Sequence, residues 1–358
     1  MQIEENKPLA PLTTIGVGGP ARWYVRARDE AEILESVEWT AQRGVPLFVL
    51  GGGSNLLVSD SGFPGLVLHP ELKGIRTRND GQTKIYEVAA GEDWDHFVQL
   101  AVDDGCSGIE CLAGIPGTVG GTPVQNVGAY GQEVSSSIKQ VRAFDLNAHS
   151  FVEFTAEECG FAYRRSRFNS TDRGRYLVTR VDYRLTPGGM PTLRYPDLQR
   201  AIAANGAGAR TGDQAPTLAE VAAAVRALRN SKGMLLVDGD GDCRSAGSFF
   251  KNPVVTTSHA AEIAAKSGKE PPQFAAGTDA DTGDLVKIPA AWLIEQAGFS
   301  KGYRLGAAGI SSRHTLALVN LGDATAQEIL ALAAQISEAV ETRFGIQLER
   351  EPVLVGFD

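Results

Sequence analysis

The run of residues 114–134 constrains the fold of this chain more than any other stretch. It contains six glycines among small, apolar and amide side chains, and Glu133 is its only charged residue. Glycine reaches positive φ and lets another group approach the backbone closely. Gln125 and Asn126 offer hydrogen-bond donors and acceptors without net charge. This composition fits a loop that binds a large, flat ligand carrying phosphates. It also fits a loop that turns tightly for packing alone.

Composition narrows the class of protein. The chain has 358 residues, too many for one typical core and too few for more than three domains, and its 43% hydrophobic and 22% charged residues are ordinary for a globular protein. Its net charge of −9 argues against nonspecific nucleic-acid binding but leaves room for a local basic site. The N-terminal residues lack a signal-like apolar segment, and no apolar run reaches membrane-spanning length. We therefore expect a cytoplasmic protein, monomeric, with no nucleic-acid or membrane partner.

Metal and disulfide chemistry are not indicated. The four cysteines include no Cys-x-x-Cys pair, and the five histidines are scattered without His-x-x-x-His spacing. We expect inert thiols and no metal site.

Two further glycine clusters lie near the N-terminus. Residues 16–21 match a Gly-x-Gly-x-x-Ala dinucleotide fingerprint, but the run that follows, 21–27, predicts a strand where the fingerprint requires a helix. We reject a dinucleotide site there. Residues 45–50 predict a short strand that leads into Gly51-Gly-Gly-Ser-Asn55, whose backbone N–H groups could form an anion-binding nest. No Gly-Lys-[Ser/Thr] follows, so this is not a P-loop.

Three segments outside these clusters have clear local signals. Residues 29–44 predict an amphipathic helix that opens with acidic residues and ends at a glycine. A second helix begins at Thr325, which forms a capping box with Glu328, and ends at Gly345. Between these helices, residues 187–216 are rich in Pro, Gly and Ala and predict an exposed insertion around Tyr195.

Several motifs in order resemble one family, the UDP-N-acetylenolpyruvoylglucosamine reductases (MurB) of bacterial peptidoglycan synthesis. The matching runs are 51–55, 114–117, 125–131, 161–164, 247–253, 292–296 and Glu351. Two departures affect the site. The segment after Lys232 reads Gly-Met and carries extra Gly and Asp residues, and Val353 stands where an arginine is usual.

The resemblance implies an α/β (α+β) flavoprotein of three domains that binds FAD and uses NADPH as co-substrate. We expect residues 1–70, with the tail 352–358, and residues 71–232 to form two FAD-binding subdomains. Residues 233–351 would then form a MurB-like C-terminal substrate domain. The implied reaction reduces the enolpyruvyl ether of UDP-N-acetylglucosamine enolpyruvate to UDP-N-acetylmuramate.

The resemblance also assigns site residues. Reduction of an enolpyruvyl group needs a cation and a polarising acid at its carboxylate and a hydroxyl that gives a proton to carbon. The matching catalytic residues are Arg164, Ser248 and Glu351. The cofactor-binding residues are Gly51, Gly52, Gly53, Ser54, Asn55, Leu56, Gly117, Gly121, Thr122, Asn126, Gly128 and Ala129. The substrate-binding residues are Tyr130, Tyr195, Lys232, Asn252 and Gln296.

Each of these residues also has a structural interpretation. Arg164 stands beside Arg165 and Arg167 and could be a surface arginine, Ser248 could simply begin a strand, and Tyr195 could pack within its own loop. Two other functions stay open at this point. One is an FAD-dependent oxidoreductase of similar scaffold that acts on another substrate, and the other is a noncatalytic nucleotide-sugar sensor.

Overall fold

The computed structural model describes residues 1–206, 215–279 and 283–357. The helices are α1 (Glu30–Arg43), α2 (Trp94–Asp103), α3 (Pro196–Gly206), α4 (Leu218–Ser231), α5 (Thr257–Ser267), α6 (Ala290–Gln296) and α7 (Ala326–Phe344). The strands are β1 (Ile3–Pro8), β2 (Pro20–Ala27), β3 (Leu47–Val49), β4 (Leu56–Val58), β5 (Phe63–Pro70), β6 (Ile75–Asp80), β7 (Thr83–Ala89), β8 (Cys106–Ser107), β9 (Gly128–Ala129), β10 (Gln132–Glu133), β11 (Ile138–Asp145), β12 (Ser150–Thr155), β13 (Tyr176–Pro187), β14 (Val254–Thr256), β15 (Phe274–Asp279), β16 (Gly283–Lys287), β17 (Arg304–Leu305), β18 (Ala308–Ile310), β19 (Leu318–Asn320) and β20 (Val353–Val355).

The chain forms two compact units. The first contains Met1–Lys7, Ala21–Gly53 and Pro64–Ser231, and the second contains Pro8–Pro20, Ser54–Phe63 and Lys232–Asp358. The mixture of helices and sheets agrees with the expected α/β (α+β) class. The tail strand β20 pairs in parallel with β4 inside the second unit. The expected division into three domains stays a prediction.

The first unit has two larger sheets, each with its own apolar core, and the two-stranded sheet β9-β10. One sheet has the order β1-β2-β5-β3, and its core includes Ile33 and Val37 of α1. The larger sheet has the order β12-β11-β13-β7-β6 with β8 beside β13, and α2, α3 and α4 contribute to its core. The recorded pairs of the larger sheet are antiparallel. Such strands can have one face against helices while the other stays solvated.

The second unit is built around α7. The same unit contains two three-stranded sheets, β14-β16-β15 and β17-β18-β19. The apolar stripe of α7 is fully buried, and Ile329, Ile336 and Phe344 each have no exposed area. The predicted capping box of Thr325 with Glu328 is present, and Gly345 ends the helix at φ 70°. The prediction of this helix is confirmed, as is that of α1, where Asp29 accepts from the N–H of Glu32 and Gly44 has φ 60°.

The interpretation of 187–216 as an exposed insertion is partly wrong. The segment contains α3, and Leu198 and Ile202 of that helix are buried in the core of the larger sheet. These apolar side chains are spaced four apart, which places them on one helical face. Tyr195 itself is exposed, as expected. Residues 207–214 of the predicted insertion lie outside the described residues.

No helix in the described ranges is both long and apolar enough to cross a membrane.

A buried carboxylate at the end of β11 makes the stability of the first unit dependent on pH. Asp145 is 2% exposed and accepts a hydrogen bond of 2.7 Å from Nη2 of Arg175. The hydrogen bonds from Arg175, with those from the N–H groups of Asn147 and Ala148, outweigh burial and lower the pKa of Asp145 to about 2. A lowered pKa stabilises the fold above the unfolded value, about 3.9, and that stability is lost as pH falls toward 2.

We expect Asp145→Asn to lower the free energy of unfolding by roughly 1.5–3 kcal/mol at pH 7, because it removes charge-assisted hydrogen bonds. The difference from wild type should shrink as pH falls from about 4 to about 2. Urea titrations at several pH values measure both effects. The matched control is Glu38→Gln, an exposed acid of the same unit. A difference that is constant across this pH range would contradict the assignment.

Candidate functional site

In the first unit, two glycine-rich loops meet backbone to backbone. A Cβ on Gly52 would lie 2.4 Å from Cα of Gly117 and 2.8 Å from N of Thr118. Gly117 has φ 129° and Gly53 has φ 65°, which are conformations that favour glycine. Only residues without side chains allow this approach. The two loops that the sequence singled out separately are therefore parts of one surface in the first unit.

This surface has backbone donors that find no backbone acceptor among the described residues. Among the backbone hydrogen bonds of the described residues outside helices and strands, none has the amide N–H of Gly51, Gly52 or Gly53 as its donor. Successive N–H groups in a tight turn bind anions such as phosphate. The loop therefore has the chemistry to hold the pyrophosphate of a dinucleotide. Ser54, Asn55 and Leu56, the other predicted members of this cradle, belong to the second unit.

Polar side chains within the second loop are occupied by the protein. The amide nitrogen of Asn126 donates to Glu133 at 2.8 Å and to the carbonyl of Ala162 at 3.1 Å. Its amide oxygen accepts from the N–H of Ser135 at 3.1 Å. The hydroxyl of Thr122 lies 2.6 Å from that of Tyr183. These two side chains shape the loop, whereas Gly121, Gly128 and Ala129 present mainly backbone. Contacts of all five to a cofactor stay predictions.

Three predicted site residues have strained backbones. Of the five non-glycine residues with positive φ in the described part of the chain, three are Asn126 (44°), Tyr130 (48°) and Arg164 (54°). The left-handed region costs a non-glycine residue of the order of 1 kcal/mol or more, and such residues cluster at functional sites. The strain is independent of the family motifs, and it supports a site around these three residues.

Arg164 reaches back to the glycine loop. Its Nη2 donates to the carbonyl of Gly128 at 3.1 Å, and its guanidinium lies 5.5 Å from the ring centre of Tyr163. A side chain on Gly128 would lie 3.5 Å from Nη1 of Arg164. Arg167, by contrast, forms an ion pair of 2.8 Å with Asp172. The structure thus distinguishes Arg164 from Arg167: Arg164 bonds to the glycine loop, and Arg167 pairs with Asp172.

The structure brings two predicted substrate residues together. The rings of Tyr130 and Tyr195 pack edge to face, with centres 5.5 Å apart. Burial raises the pKa of Tyr130 to about 12, although the nearby charge of Arg229 opposes this effect. Sequence reasoning missed Arg229, which is 9% exposed and donates to the carbonyl of Gly114 at 2.9 Å. An available signal was its position in α4, four residues after the buried Val225.

In the second unit, Ser248 and Glu351 lie on neighbouring extended segments. The N–H of Glu351 donates to the carbonyl of Phe249 at 2.9 Å, and Phe250 and Arg350 form an antiparallel bridge. Ser248 is half-buried, and none of the side-chain hydrogen bonds of the described residues involves its hydroxyl. The hydroxyl is therefore available to a ligand. Glu351 also receives, at its carbonyl, the side-chain amide of Asn55 at 3.2 Å.

The remaining substrate candidates also lie in the second unit. Asn252 accepts at its side-chain oxygen from the N–H of Ala290 at 2.9 Å, which places it at the start of α6. Gln296 is the last residue of α6. Burial lowers the pKa of His314 to about 4, and the charges of Lys232 and Lys301 act in the same direction.

Comparisons with known proteins agree along the whole chain. A family described as "FAD binding domain" matches residues 21–149, and the family "UDP-N-acetylenolpyruvoylglucosamine reductase, C-terminal domain" matches residues 240–355. The UDP-N-acetylenolpyruvoylglucosamine reductase of Streptomyces coelicolor is 45% identical over 99% of this chain and 91% of its own length. That of Thermobifida fusca is 45% identical over 98% of this chain and 97% of its own.

A solved structure extends the agreement to the fold. The crystal structure of UDP-N-acetylenolpyruvylglucosamine reductase (MurB) from Thermus caldophilus superposes with a TM-score of 0.66 at 28% identity and covers 99% of both chains. The resemblance that the motifs indicated is confirmed: the chain belongs to the UDP-N-acetylenolpyruvoylglucosamine reductase family.

Proposed function

We propose that this chain, with FAD bound, catalyses the NADPH-dependent reduction of UDP-N-acetylglucosamine enolpyruvate to UDP-N-acetylmuramate, a step of peptidoglycan precursor synthesis. The observation that carries the proposal is the contact of Gly52 with Gly117 inside the region that matches the FAD-binding family. Bound FAD supplies the carrier of hydride between NADPH and the substrate. The proposal includes a monomer in the cytoplasm, which rests on the sequence alone.

The glycine surface of the first unit fits FAD. The N–H groups of Gly51–Gly53 would bind its pyrophosphate, since they are donors with no recorded backbone acceptor in the described chain. A Cβ at position 52 would fill the space between Gly52 and Gly117. The loop around Gly117, Gly121 and Gly128 would face the ring system with its backbone, because the side chains of Thr122 and Asn126 are bound within the protein.

The charged and hydroxyl groups act on the enolpyruvyl group. Saturation of its double bond adds a hydride at one carbon and a proton at the other. Arg164, held at the carbonyl of Gly128, would bind the carboxylate and stabilise the negative charge that develops. Ser248, whose hydroxyl has no hydrogen-bond partner among the described residues, would donate the proton to carbon. Glu351, on the neighbouring segment, would polarise the carboxylate.

Hydrogen-bonding side chains would hold the UDP-sugar. Tyr195 is exposed, packs on Tyr130 and would donate its hydroxyl to the diphosphate. Lys232 would add a positive charge, while Asn252 and Gln296 would supply amides. Because Asn252 uses its oxygen at α6, its amide N–H₂ would be the group offered to substrate.

The first test concerns the cofactor. We expect the purified protein to be yellow and to release FAD on denaturation. Gly52→Ala should weaken FAD binding at least about tenfold, because the new methyl would lie 2.4 Å from Cα of Gly117 and overpacking costs about 1–3 kcal/mol. Flavin fluorescence on titration of the apoprotein measures the dissociation constant.

Gly241→Ala is the matched control, since a Cβ there would meet no atom within 4 Å. A colourless protein that FAD does not reconstitute would contradict the proposed function. Equal FAD affinity of Gly52→Ala and wild type would contradict the assignment of the loop.

The second test separates proton donation from flavin binding. In Ser248→Ala, NADPH should still reduce the bound flavin at close to the wild-type rate, because this half-reaction needs no proton from Ser248. Reoxidation by the enolpyruvyl substrate should slow at least about a hundredfold, the low end of general acid catalysis. Ser248→Cys should recover part of the rate, since a thiol also donates a proton. Stopped-flow absorbance follows both half-reactions.

The control for this test is Ser300→Ala, an exposed serine of the same unit. If Ser248→Ala slows reduction by NADPH as much as reoxidation, Ser248 supports the fold or the cofactor, and another group donates the proton.

A further inference from the structure

Thr192, which lies three residues before Tyr195, is held by hydrogen bonds at its N–H, hydroxyl and carbonyl groups. The N–H of Thr192 donates to Oε1 of Glu110 at 2.8 Å. Its hydroxyl accepts from Nε2 of Gln132 at 3.1 Å, and its carbonyl accepts from the thiol of Cys111 at 3.2 Å. A residue fixed at these three groups has little freedom to move, and it leads directly into the segment that carries Tyr195.

Glu110 is the centre of this network. It has no exposed area, and its Oε2 accepts from the N–H of Gly108 at 2.8 Å. Its Oε1 accepts from Nε2 of Gln132 at 2.8 Å as well as from Thr192. Gln132 in turn accepts from the N–H of Cys111 at 2.8 Å. Burial of a carboxyl group is costly unless it is hydrogen-bonded, and here three donors from three separate segments satisfy it.

The network aligns two segments side by side. Gln132 bonds to Thr192, and a Cβ on Gly131 would lie 3.0 Å from Cβ of Arg194. The ring of Tyr130 packs on the ring of Tyr195. Residues 130–132 and 192–195 therefore run antiparallel. Glu110 bonds to Gln132 and Thr192, which lie at the ends of the two segments away from the tyrosines.

The other end of the Tyr195 segment is fixed by burial. Leu198 has no exposed area, and Ile202 follows on the same face of α3. Tyr195 thus lies between two fixed points, Thr192 and Leu198, while its own side chain is exposed. At the Thr192 end, the hydrogen bonds run through Glu110 and through Gln132, which Glu110 also binds, so the place of Thr192 depends on Glu110.

We propose that Glu110 is a positioning residue for substrate binding: through Gln132 and Thr192 it sets the place of the Tyr130–Tyr195 pair. The inference rests on the proposed function, since it assigns Tyr195 to the UDP-sugar. Glu110 has no exposed area and acts through the hydroxyl of Tyr195. Its contribution therefore depends on that hydroxyl.

The test is a double-mutant cycle on the FAD-loaded enzyme. Glu110→Gln keeps the size of the side chain but replaces one acceptor oxygen by an N–H₂ donor. In either orientation of the amide, this donor faces another donor, the N–H of Gly108 or the N–H of Thr192. We expect KM for the enolpyruvyl substrate to rise about tenfold, with reduction of the flavin by NADPH unchanged. In a Tyr195→Phe background, the same change should raise KM less than about twofold, because coupled residues are not additive.

The matched control is Glu157→Gln, an exposed acid of the same unit, which should leave KM unchanged in both backgrounds. A KM unaffected by Glu110→Gln would overturn the proposal. An equal rise in both backgrounds would also overturn it, because a general loss of stability would act without regard to Tyr195.

A conformational measurement separates this proposal from the proposed function. Trypsin can cleave after Arg194, which is exposed, and mass spectrometry follows that cleavage. Glu110→Gln should accelerate cleavage after Arg194 several-fold, and Glu157→Gln should not. If the wild-type enzyme fails to turn over the enolpyruvyl substrate while this acceleration is seen, the function is wrong and the positioning stands. If turnover is normal and cleavage is unchanged, the positioning is wrong.

Discussion

The first unit depends on one steric constraint, the approach of Gly52 to Gly117. The two backbones are so close that a Cβ at position 52 would lie 2.4 Å from Cα of residue 117. This contact joins the turn after β3 to the loop after α2 and leaves the N–H groups of the turn without a recorded backbone acceptor in the described chain. A hydrophobic contact could hold two loops together, but it would cover these donors. A glycine contact holds the loops and keeps the donors available.

Charged side chains, where apolar packing would be usual, hold the beginning of the glycine-rich loop at Gly114. The N–H of Gly114 donates to Asp95 at 2.6 Å, and its carbonyl accepts from Arg229 at 2.9 Å. Arg226 completes the arrangement with an ion pair of 2.7 Å to Asp95. Directional bonds fix the orientation of a peptide group, which burial alone does not. The loop therefore leaves the helical layer of α2 and α4 in a defined direction.

In the second unit, backbone hydrogen bonds between two extended segments hold the predicted site residues in place. Lys251 donates its N–H to Glu349, and Glu351 donates its N–H to Phe249, each at 2.9 Å. These bonds fix Ser248 relative to Glu351, although about a hundred positions separate the two residues in the chain. The backbone of Glu351 is occupied by the pairing and, at its carbonyl, by the side chain of Asn55.

The sequence by itself determined what depends on neighbouring residues. Asp29 and Gly44 bound α1, and Thr325, Glu328 and Gly345 bound α7, because caps act within one helical turn. The motifs were likewise sufficient to indicate the family. Tertiary structure alone decided which loops meet, how α3 anchors the Tyr195 segment, and why a buried Glu110 binds Thr192, 82 residues away. No local pattern encodes such pairs, since each depends on where the whole chain places its segments in space.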